Sequence, residues 1–382
     1  MELRSIPQSV AAVMEKINAA GQEAYLVGGC VRDAYRGHLP HDYDITTSAL
    51  PEEMLRIFAG ERIIPTGLQH GTVTVLTADG PVEVTTYRQD GDYSDHRHPD
   101  GVTFTRSLRE DLARRDFTMN AMALDRDGAL IDPFGGREDL DRGLIRCVGE
   151  AERRFEEDAL RILRGLRFAA RLGFSLEEET ARAMVAKKQL LKEIAAERIF
   201  AELCGLLAGE YAAEVLEEYG AVLLPVLPEL KLDARALSVL KKLPQEPALR
   251  LAALLSSEDG GVLNRLKVSN AFREEVLLLL RERDAFCPPE RIAVRRRMSA
   301  LGAMPFITLC RYQRAEDCLL IAERLLEEGA CLSVQQLAVT GRDLMALGLK
   351  GPSIGEALAR LLEQVIEEKL PNEREALLAY IK

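Results

Sequence analysis

The sequence predicts an α+β region at the N-terminus, followed by a longer all-α region that is divided into several domains. Over roughly the first 140 residues, short β-like runs alternate with helical segments. From about residue 150 onward, helices rich in Leu, Ala, Glu and Arg follow one another. The length of 382 residues exceeds what one hydrophobic core usually holds, so we expect two or more domains.

The composition predicts a cytoplasmic protein. No apolar run approaches the roughly 20 residues needed to span a membrane, and the N-terminus lacks a signal-peptide core. Seven scattered cysteines form no C-x-x-C pair, so we expect reduced thiols. We expect no membrane partner and predict no protein partner.

A formal net charge of −11 argues against binding nucleic acid through the whole surface, because an acidic surface repels phosphates. The positive charge is nevertheless clustered along the chain. The clusters are Arg114 with Arg115, then Arg161, Arg164, Arg167 and Arg171, and finally Arg295, Arg296 and Arg297. Local basic faces are therefore expected on an acidic protein.

The first elements follow from periodicity and turn residues. An amphipathic helix spans 8–20, and AYLV forms a short strand that ends in the Gly28-Gly29 turn. The segment CVRDAYRG is the next helix, and YDIT is the next strand. Pro51 opens a helix, for which Thr47 or Ser48 is a candidate cap.

Further along, GTVTVLT and VEVTTYR joined by ADG predict a β-hairpin. The polar residues 88–103 predict a loop without regular structure. The segment FEEDALRILRGLRFAARLGF predicts one helix that Gly173 stops. Helices continue to the end, with breaks at Pro225/Pro228, Pro244 to Pro247, Gly260/Gly261 and Pro288/Pro289.

Three carboxylates form the strongest candidate site. Asp42 and Asp44 are two residues apart, and strand alternation places them on one face, about 7 Å apart at Cα. Such a pair suits two hard divalent ions, which prefer oxygen ligands and polarise phosphoryl groups. Glu83 faces opposite to Val82 and Val84 and supplies a third acid. Alternatively, the aspartates are turn residues and Glu83 lies on a solvated face.

The Gly28-Gly29 turn lies between a strand and a helix, where backbone amides can approach phosphate oxygens closely. Arg32 is placed to add a bidentate clamp. A Gly-Gly turn taken alone is more often structural, and the nearby aspartates favour the phosphate-binding interpretation.

The stretch RRDFTMNAMALD places polar groups before an apolar run. Asn120 lies one helical turn after Asp116, so both side chains can meet one ligand, such as a ribose hydroxyl. Arg114 and Arg115 suit a triphosphate. The structural alternative is a helix cap at Asp116 with surface arginines.

In EEDALRILR, Asp158 and Arg161 are three residues apart and are expected to project from one helix face. Together they present an acceptor beside a donor. Cytosine and adenine both carry an exocyclic amine next to an unprotonated ring nitrogen, whereas guanine and uracil show the reverse pattern. The spacing alone is equally compatible with an ordinary surface salt bridge.

Four segments resemble the successive motifs of class II CCA-adding enzymes and bacterial poly(A) polymerases. They are LVGGCVRD, HDYDITTSA, RRDFTMNAMA and EEDALRILRGLRFAARLGF, in this order. The C-terminal segment that begins TGRDLMALGLKGPSIGEALARLL also resembles the tail of the bacterial CCA-adding proteins. The motifs cover roughly residues 20–175 and are specific as a set.

The resemblance implies a nucleotidyltransferase head with a polymerase-beta-like mixed sheet, then a helical neck, body and tail in an elongated arrangement. The expected boundaries are 1–142, 143–205, 206–285 and 286–382. The implied reaction adds CMP, CMP and AMP from CTP and ATP to the 3′ end of tRNA, with Mg²⁺ as cofactor and release of pyrophosphate.

The resemblance also implies site residues. It makes Asp42 and Asp44 the metal ligands and Glu83 the third carboxylate. Triphosphate, ribose and base would be bound by Gly28, Gly29, Arg32, Arg115, Asp116, Asn120, Asp158, Arg161 and Arg164. YRQDGDYSDHRHPDG resembles the family's flexible loop, of which Arg97 is a member.

Alternatives remain within this family. TGLQHGTVTV resembles CCA-adding members more than poly(A) polymerases, and the intact loop disfavours enzymes that add only CC. Enzymes that add only A keep the loop and stay open. An RNA-binding module without catalysis is disfavoured because all three candidate carboxylates are present.

For the RNA, we expect Arg295, Arg296 and Arg297 to contact tRNA phosphates, because an acidic protein must concentrate its positive charge somewhere. The competing interpretation is a solvated run of charge.

Overall fold

The computed structural model describes residues 6–65, 67–91, 102–255 and 260–381, with only the backbone described at Asp90. The chain divides into two compact units, Met1–Leu232 and Asp233–Lys382. Within the described ranges, no helix has both the length and the apolar character needed to cross a bilayer. The four predicted domain boundaries stay a prediction.

A mixed sheet forms the centre of the N-terminal part of the first unit. Its strands are β1 (Ala24–Val27), β2 (Asp44–Thr47), β3 (Ile63–Ile64), β4 (Thr72–Thr77), β5 (Gly80–Thr86), β8 (Ala123–Leu124) and β9 (Leu130–Ile131). In the described chain they lie in the order β3-β4-β5-β2-β1-β8-β9. Strands β2 and β5 are parallel and the other neighbours are antiparallel.

The predicted hairpin is confirmed as the β4–β5 pair, in which Val73 lies opposite Val84 and Val75 opposite Val82. These valines are buried, because alternation turns them toward the core. The predicted loop over 88–103 is wrong at both ends: β6 (Arg88–Asp90) pairs with β7 (Val102–Phe104). Backbone hydrogen bonding there overrides the polar composition.

In the first unit, helices alternate with strands in the N-terminal part and predominate after about residue 150. They are α1 (Gln8–Ala19), α2 (Gly29–Tyr35), α3 (Pro51–Ile57), α4 (Leu108–Ala113), α5 (Gly136–Arg142), α6 (Ala151–Glu157), α7 (Leu160–Leu172), α8 (Glu178–Lys187), α9 (Ala196–Leu207) and α10 (Ala212–Tyr219). Strand β10 (Leu144–Ile145) lies between α5 and α6 in sequence, and strand β11 (Ser175–Leu176) lies between α7 and α8. The two strands pair in parallel.

Two helix details differ from expectation. Neither Thr47 nor Ser48 caps α3; instead Glu53 accepts a hydrogen bond from the Leu50 amide at 2.7 Å. The long helix predicted around EEDALRILR is interrupted at Asp158, which has an extended backbone between α6 and α7. Gly173, with φ of 69°, ends α7 as predicted.

The second unit is helical throughout its described residues. Its helices are α11 (Ala234–Lys242), α12 (Pro247–Leu254), α13 (Gly261–Arg265), α14 (Asn270–Glu282), α15 (Arg291–Leu301), α16 (Ala303–Gln313), α17 (Glu316–Glu327), α18 (Gly341–Ala346), α19 (Pro352–Ile366) and α20 (Arg374–Ile381). One apolar cluster forms around Phe306 and Met298 and another around Leu361 and Leu344. All seven cysteines of the chain are free thiols.

Candidate active site

Two of the predicted carboxylates lie side by side on the parallel strands β2 and β5 of the sheet. Asp44 is the first residue of β2, and its parallel partner on β5 is Glu83. Asp42 precedes β2 in a bend, so the strand alternation expected for the two aspartates does not extend to it. The pKa of Asp44 is raised, first by desolvation and then by the negative charges of Glu83 and Asp42, while Arg115 opposes the shift. The site is therefore rich in negative charge that a cation would neutralise.

These acids suit a hard cation in the type of their ligand atoms, which are all carboxylate oxygens. Within the described residues, no group of three or more His, Cys, Asp or Glu side chains forms a ready metal cage. Magnesium commonly uses one or two carboxylates together with water and substrate phosphates, so such a cage is not required for it. The residues present fit a magnesium site that the substrate completes.

The Gly28-Gly29 turn lies beside Asp44. Gly28 precedes α2 with φ of 75°, a conformation that L side chains rarely adopt. A Cβ atom on Gly28 would lie 3.2 Å from Arg115 Nη1 and 3.8 Å from Asp44 Oδ2. Because Gly28 has no side chain, the Arg115 guanidinium and the Asp44 carboxylate can both lie close to its backbone.

A chain of hydrogen bonds leads from α2 to α7. Arg32 Nη1 donates to Asn120 Oδ1 at 3.0 Å, and Asn120 Nδ2 donates to Asp116 Oδ1 at 3.1 Å. Arg164 on α7 donates to Asp116 Oδ2 through Nε at 2.8 Å, and its Nη2 lies 2.7 Å from the same oxygen. Four predicted residues are thus joined directly.

The environment of Asp116 is strongly stabilising for its charged form. Burial alone would raise its pKa, but Arg164 and the hydrogen bond from Asn120 lower it to about 2. The expected helical turn between Asp116 and Asn120 is wrong, because Phe117 is extended and Thr118–Asn120 is a 3-10 turn. The two side chains still meet, since the turn folds Asn120 back onto the carboxylate.

The pair in the fourth motif has a different geometry from the one expected. Because the helix breaks at Asp158, this residue and Arg161 do not share a helix face. Asp158 accepts from the Leu160 amide at 3.0 Å and from Arg198 Nη2 at 3.1 Å. Its side chain thus binds the first residue of α7, whose N-cap is Ala159, and pairs with Arg198 of α9. This local hydrogen bond between side chain and backbone competes with helix continuation.

Arg161 is 7% exposed and is held by oxygen atoms of its surroundings. Its Nη1 donates to Glu157 Oε2 at 2.8 Å and to the Arg154 carbonyl at 2.9 Å. Its Nη2 donates at 3.0 Å to the carbonyl of Arg114, a member of the first arginine cluster. The role of both residues in base recognition stays a prediction.

Several residues at this site were missed by the sequence reasoning. Glu157 and Arg198 hold Arg161 and Asp158, and Glu202 pairs with Arg167. Phe168 carries three guanidinium groups on its ring, those of Arg32, Arg164 and Arg167, at 5.2, 5.5 and 4.5 Å from the centroid. Only the four-residue separation of Glu157 and Arg161 was visible in the sequence, which predicted one helix through both.

Asp111 was also missed, although it lies three and four residues before the two arginines of RRDF. Its side chain is fully buried on α4. Arg114 Nε donates to it at 3.0 Å and Arg115 Nη2 at 3.4 Å. An acid followed by Arg at the third and fourth positions of a helix was the pattern that could have revealed it.

Two groups of predicted residues do not join this site in the described structure. Arg97 lies outside the described residues. In the second unit, Arg295 is only 7% exposed, and its Nη2 donates to the Cys331 carbonyl at 3.2 Å. Burial of the guanidinium disfavours the expectation that Arg295 contacts RNA, which stays a prediction.

Arg296 pairs with Glu363 and Glu367, and Arg297 pairs with Glu282 at 2.8 Å. The run is neither the exposed basic face of the prediction nor a freely solvated run of charge. RNA contact through these two residues stays a prediction.

Three family models match parts of the chain. Residues 24–146 match the Poly A polymerase head domain, residues 173–232 match the Probable RNA and SrmB-binding site of polymerase A, and residues 251–381 match tRNA nucleotidyltransferase domain 2. Together they cover both units.

Relatives that match along nearly the whole chain include CCA-adding enzymes. The CCA-adding enzyme of Enterococcus faecalis is 38% identical over 408 residues, covering 100% of this chain and 98% of that protein. That of Geobacillus kaustophilus is 39% identical and covers 97% of this chain and 95% of its own. The crystal structure of the Bacillus stearothermophilus CCA-adding enzyme in complex with CTP matches with a TM-score of 0.82 at 34% identity, over 98% of this chain and 96% of that one.

Proposed function

Since this chain belongs to the family of CCA-adding enzymes, we propose that it adds CMP, CMP and AMP from CTP and ATP to the 3′ end of tRNA. The observation that carries the proposal is 38% sequence identity to a CCA-adding enzyme over 100% of this chain, including the helical second unit. This favours complete CCA addition over A-only addition and over poly(A) synthesis. The RNA 3′-hydroxyl attacks the α-phosphorus of the nucleotide, and pyrophosphate leaves.

Asp42 and Asp44 are the proposed ligands of Mg²⁺, with Glu83 as the third carboxylate. When bound, Mg²⁺ polarises the phosphoryl group and lowers the pKa of the attacking hydroxyl. The supporting observation is the cross-strand pairing of Asp44 with Glu83, which concentrates negative charge where a cation is required. Glu83 is exposed beside Asp44, so both carboxylates are accessible to solvent and substrate.

The triphosphate is proposed to bind at Gly28, Gly29, Arg32 and Arg115. Arg115 Nε is buried without a hydrogen-bond partner among the described residues, so the guanidinium retains capacity to donate. The turn at Gly28 lets phosphate oxygens approach backbone amides that a side chain would block. Asn120 and Asp116 are proposed to lie at the ribose, ordered by Arg32 and Arg164.

Asp158 and Arg161 are proposed to read the base. A carboxylate oxygen accepts from the exocyclic amine of cytosine or adenine, and a guanidinium donates to the adjacent ring nitrogen. Their present partners, Arg198 and Glu157, fix where each group lies before a nucleotide arrives. Arg164 supports the same region, since Asp158 contributes to raising its pKa after the larger contribution of Asp116.

The four segments 1–142, 143–205, 206–285 and 286–382 are proposed as head, neck, body and tail, with tRNA bound by the helical part. The match of 251–381 to tRNA nucleotidyltransferase domain 2 supports this. A cytoplasmic location is proposed as well. Seven free thiols are typical of a reducing compartment.

The function is tested on three tRNA transcripts, which end before CCA, after C and after CC. The purified protein is incubated with Mg²⁺ and with CTP and ATP, singly and together, and the product ends are sequenced. Completion to CCA from all three transcripts is expected. Extension of the CC-ending transcript alone would establish an A-adding enzyme, and long A tails would establish a poly(A) polymerase.

A further inference from the structure

Asp111 is a fully buried carboxylate that four donors contact. Arg114 Nε and the Arg88 amide donate to Oδ1 at 3.0 and 3.3 Å. The Thr46 hydroxyl and Arg115 Nη2 donate to Oδ2 at 3.1 and 3.4 Å. Burial would raise its pKa, but the two guanidinium groups lower it, so Asp111 is a charged anchor. Such a group inside a protein requires a reason beyond packing.

Arg115 lies between this anchor and the candidate metal site. One end of its guanidinium contacts Asp111, and the other lies beside Gly28, 3.2 Å from where a Cβ would stand. The positive charge of Arg115 also acts on Asp44. The same guanidinium therefore contacts a buried carboxylate and acts electrostatically on a second one at the start of β2.

An unanchored guanidinium beside a carboxylate tends to form a bidentate ion pair with it. If Arg115 closed onto Asp44, it would occupy carboxylate oxygens and turn its donors away from the Gly28 turn. The contact with Asp111 opposes this, because it holds Nη2 against the buried carboxylate. Two arginines share one buried acid, so a net positive charge remains for an anion.

We propose that Asp111 is a positioning residue for nucleotide binding, which holds Arg115 at the Gly28 turn, ready to meet the triphosphate. The inference rests on the proposed function and adds to it a residue outside the metal and nucleotide sites assigned above. Asp111 does not touch the substrate. It acts through Arg115, and Thr46 on β2 holds the oxygen that Arg115 contacts.

The test measures CTP binding by isothermal titration calorimetry in EDTA, which reports on the protein's own contacts to the nucleotide. Asp111→Asn keeps the size of the side chain and removes its charge. We expect about a tenfold weaker Kd for CTP, the scale of one hydrogen bond to a charged group. With Mg²⁺ present, the KM for CTP should rise by a similar factor, while the tRNA Kd stays unchanged.

A second variant tests the same geometry more gently. Thr46→Val removes the hydroxyl that donates to Asp111 Oδ2 and leaves the charge of Asp111 in place. We therefore expect a loss of CTP affinity of about two- to threefold. The matched control is Thr180→Val. Thr180 is an equally buried threonine whose hydroxyl bonds Glu177 and the Cys147 amide, away from Arg115. It should leave CTP affinity unaltered.

The background Arg115→Ala separates positioning from general damage. There, Asp111→Asn and Thr46→Val should cause no further loss of CTP affinity, because the residue through which they act is gone. Unchanged affinity in both single variants, or an equal loss in the Arg115→Ala background, overturns the proposal. Failure of the wild-type protein to bind CTP with Mg²⁺ present would instead overturn the proposed function, and this inference with it.

Discussion

Two of the arginine clusters, Arg114 with Arg115 in the first unit and Arg295 to Arg297 in the second, differ in what their guanidinium groups contact. At the head, Arg115 has one carboxylate contact, to Asp111, and a buried Nε without a partner among the described residues. In the second unit, Arg296 contacts Glu363 of α19 and Glu367 directly after it, and Arg295 is buried against the Cys331 carbonyl. Among the described residues a buried Nε without a partner occurs in both clusters, since Arg295 and Arg297 also have one. The clusters differ in their neighbours: Arg115 lies beside Gly28 of the candidate site, while Arg296 joins α15 to the end of α19. Clustered arginine in a sequence therefore identifies a basic segment, and the neighbouring acids decide its use.

The largest effect should come from the acids that face the first cluster. Asp44→Asn keeps the shape of the side chain and removes one of the three candidate carboxylate charges. We therefore expect kcat to fall by about a thousandfold or more. The affinity for tRNA should not change. Single-turnover CMP addition and tRNA gel shifts measure the two quantities. Asp127→Asn, an exposed aspartate in the same unit, is the control, and comparable activity of both variants would contradict the assignment.

The next effect concerns specificity. Arg161→Ala removes a buried donor proposed to read the base, so the preference for CTP and ATP over UTP and GTP should fall by about tenfold or more. Competition of paired nucleotides on one transcript measures this ratio. Arg153→Ala, an exposed arginine on α6, should leave it unchanged. Retained selectivity in Arg161→Ala would remove the base-reading role.

Two aspartates, one in each unit, both have a pKa lowered to about 2, and they allow a comparison of buried with exposed ion pairs. Asp116 is buried, and Arg164 with Asn120 oppose the effect of burial. Asp343 lies at the surface, and Arg374 and the Thr340 cap lower its pKa. A lowered carboxyl pKa stabilises the fold above the unfolded value near 3.9 and loses this effect as pH falls toward 2.

Asp116→Asn should therefore lower the free energy of unfolding at pH 7 by about 2 kcal/mol, and the difference should shrink between about pH 4 and pH 2. In 1 M salt most of this loss should persist, because the Asp116 carboxylate is only 8% exposed. The effect of Asp343→Asn should instead diminish in salt. Urea unfolding at several pH values and salt concentrations measures both. An equal salt response would contradict the difference in burial.

The smallest effect is expected at Arg295. Replacement by Met retains an apolar contact surface, so stability should change by less than about 1 kcal/mol. The tRNA affinity and its dependence on salt should stay the same, because a buried arginine releases no counterions from RNA. A reduced salt slope in Arg295→Met would return this residue to the RNA interface.

The sequence by itself determined the α+β region, the hairpin and the charged residues of the head, because period-two alternation and glycine turns act locally. It also predicted that Gly28, Asp44, Glu83 and Arg115 belong together, and the fold brings Asp44 beside Glu83 and Arg115 beside Gly28.

Only the tertiary structure decided which charges meet. Asp158 pairs with Arg198, forty residues later, and Asp116 pairs with Arg164, forty-eight residues later. A hydrogen bond from the Leu160 amide to the Asp158 side chain overrides the helical period, and burial turns Arg295 away from solvent. Helical spacing shows which side chains share a face of one element. The partner of a charge depends on which other elements pack against that face, and this is fixed by contacts distant in sequence.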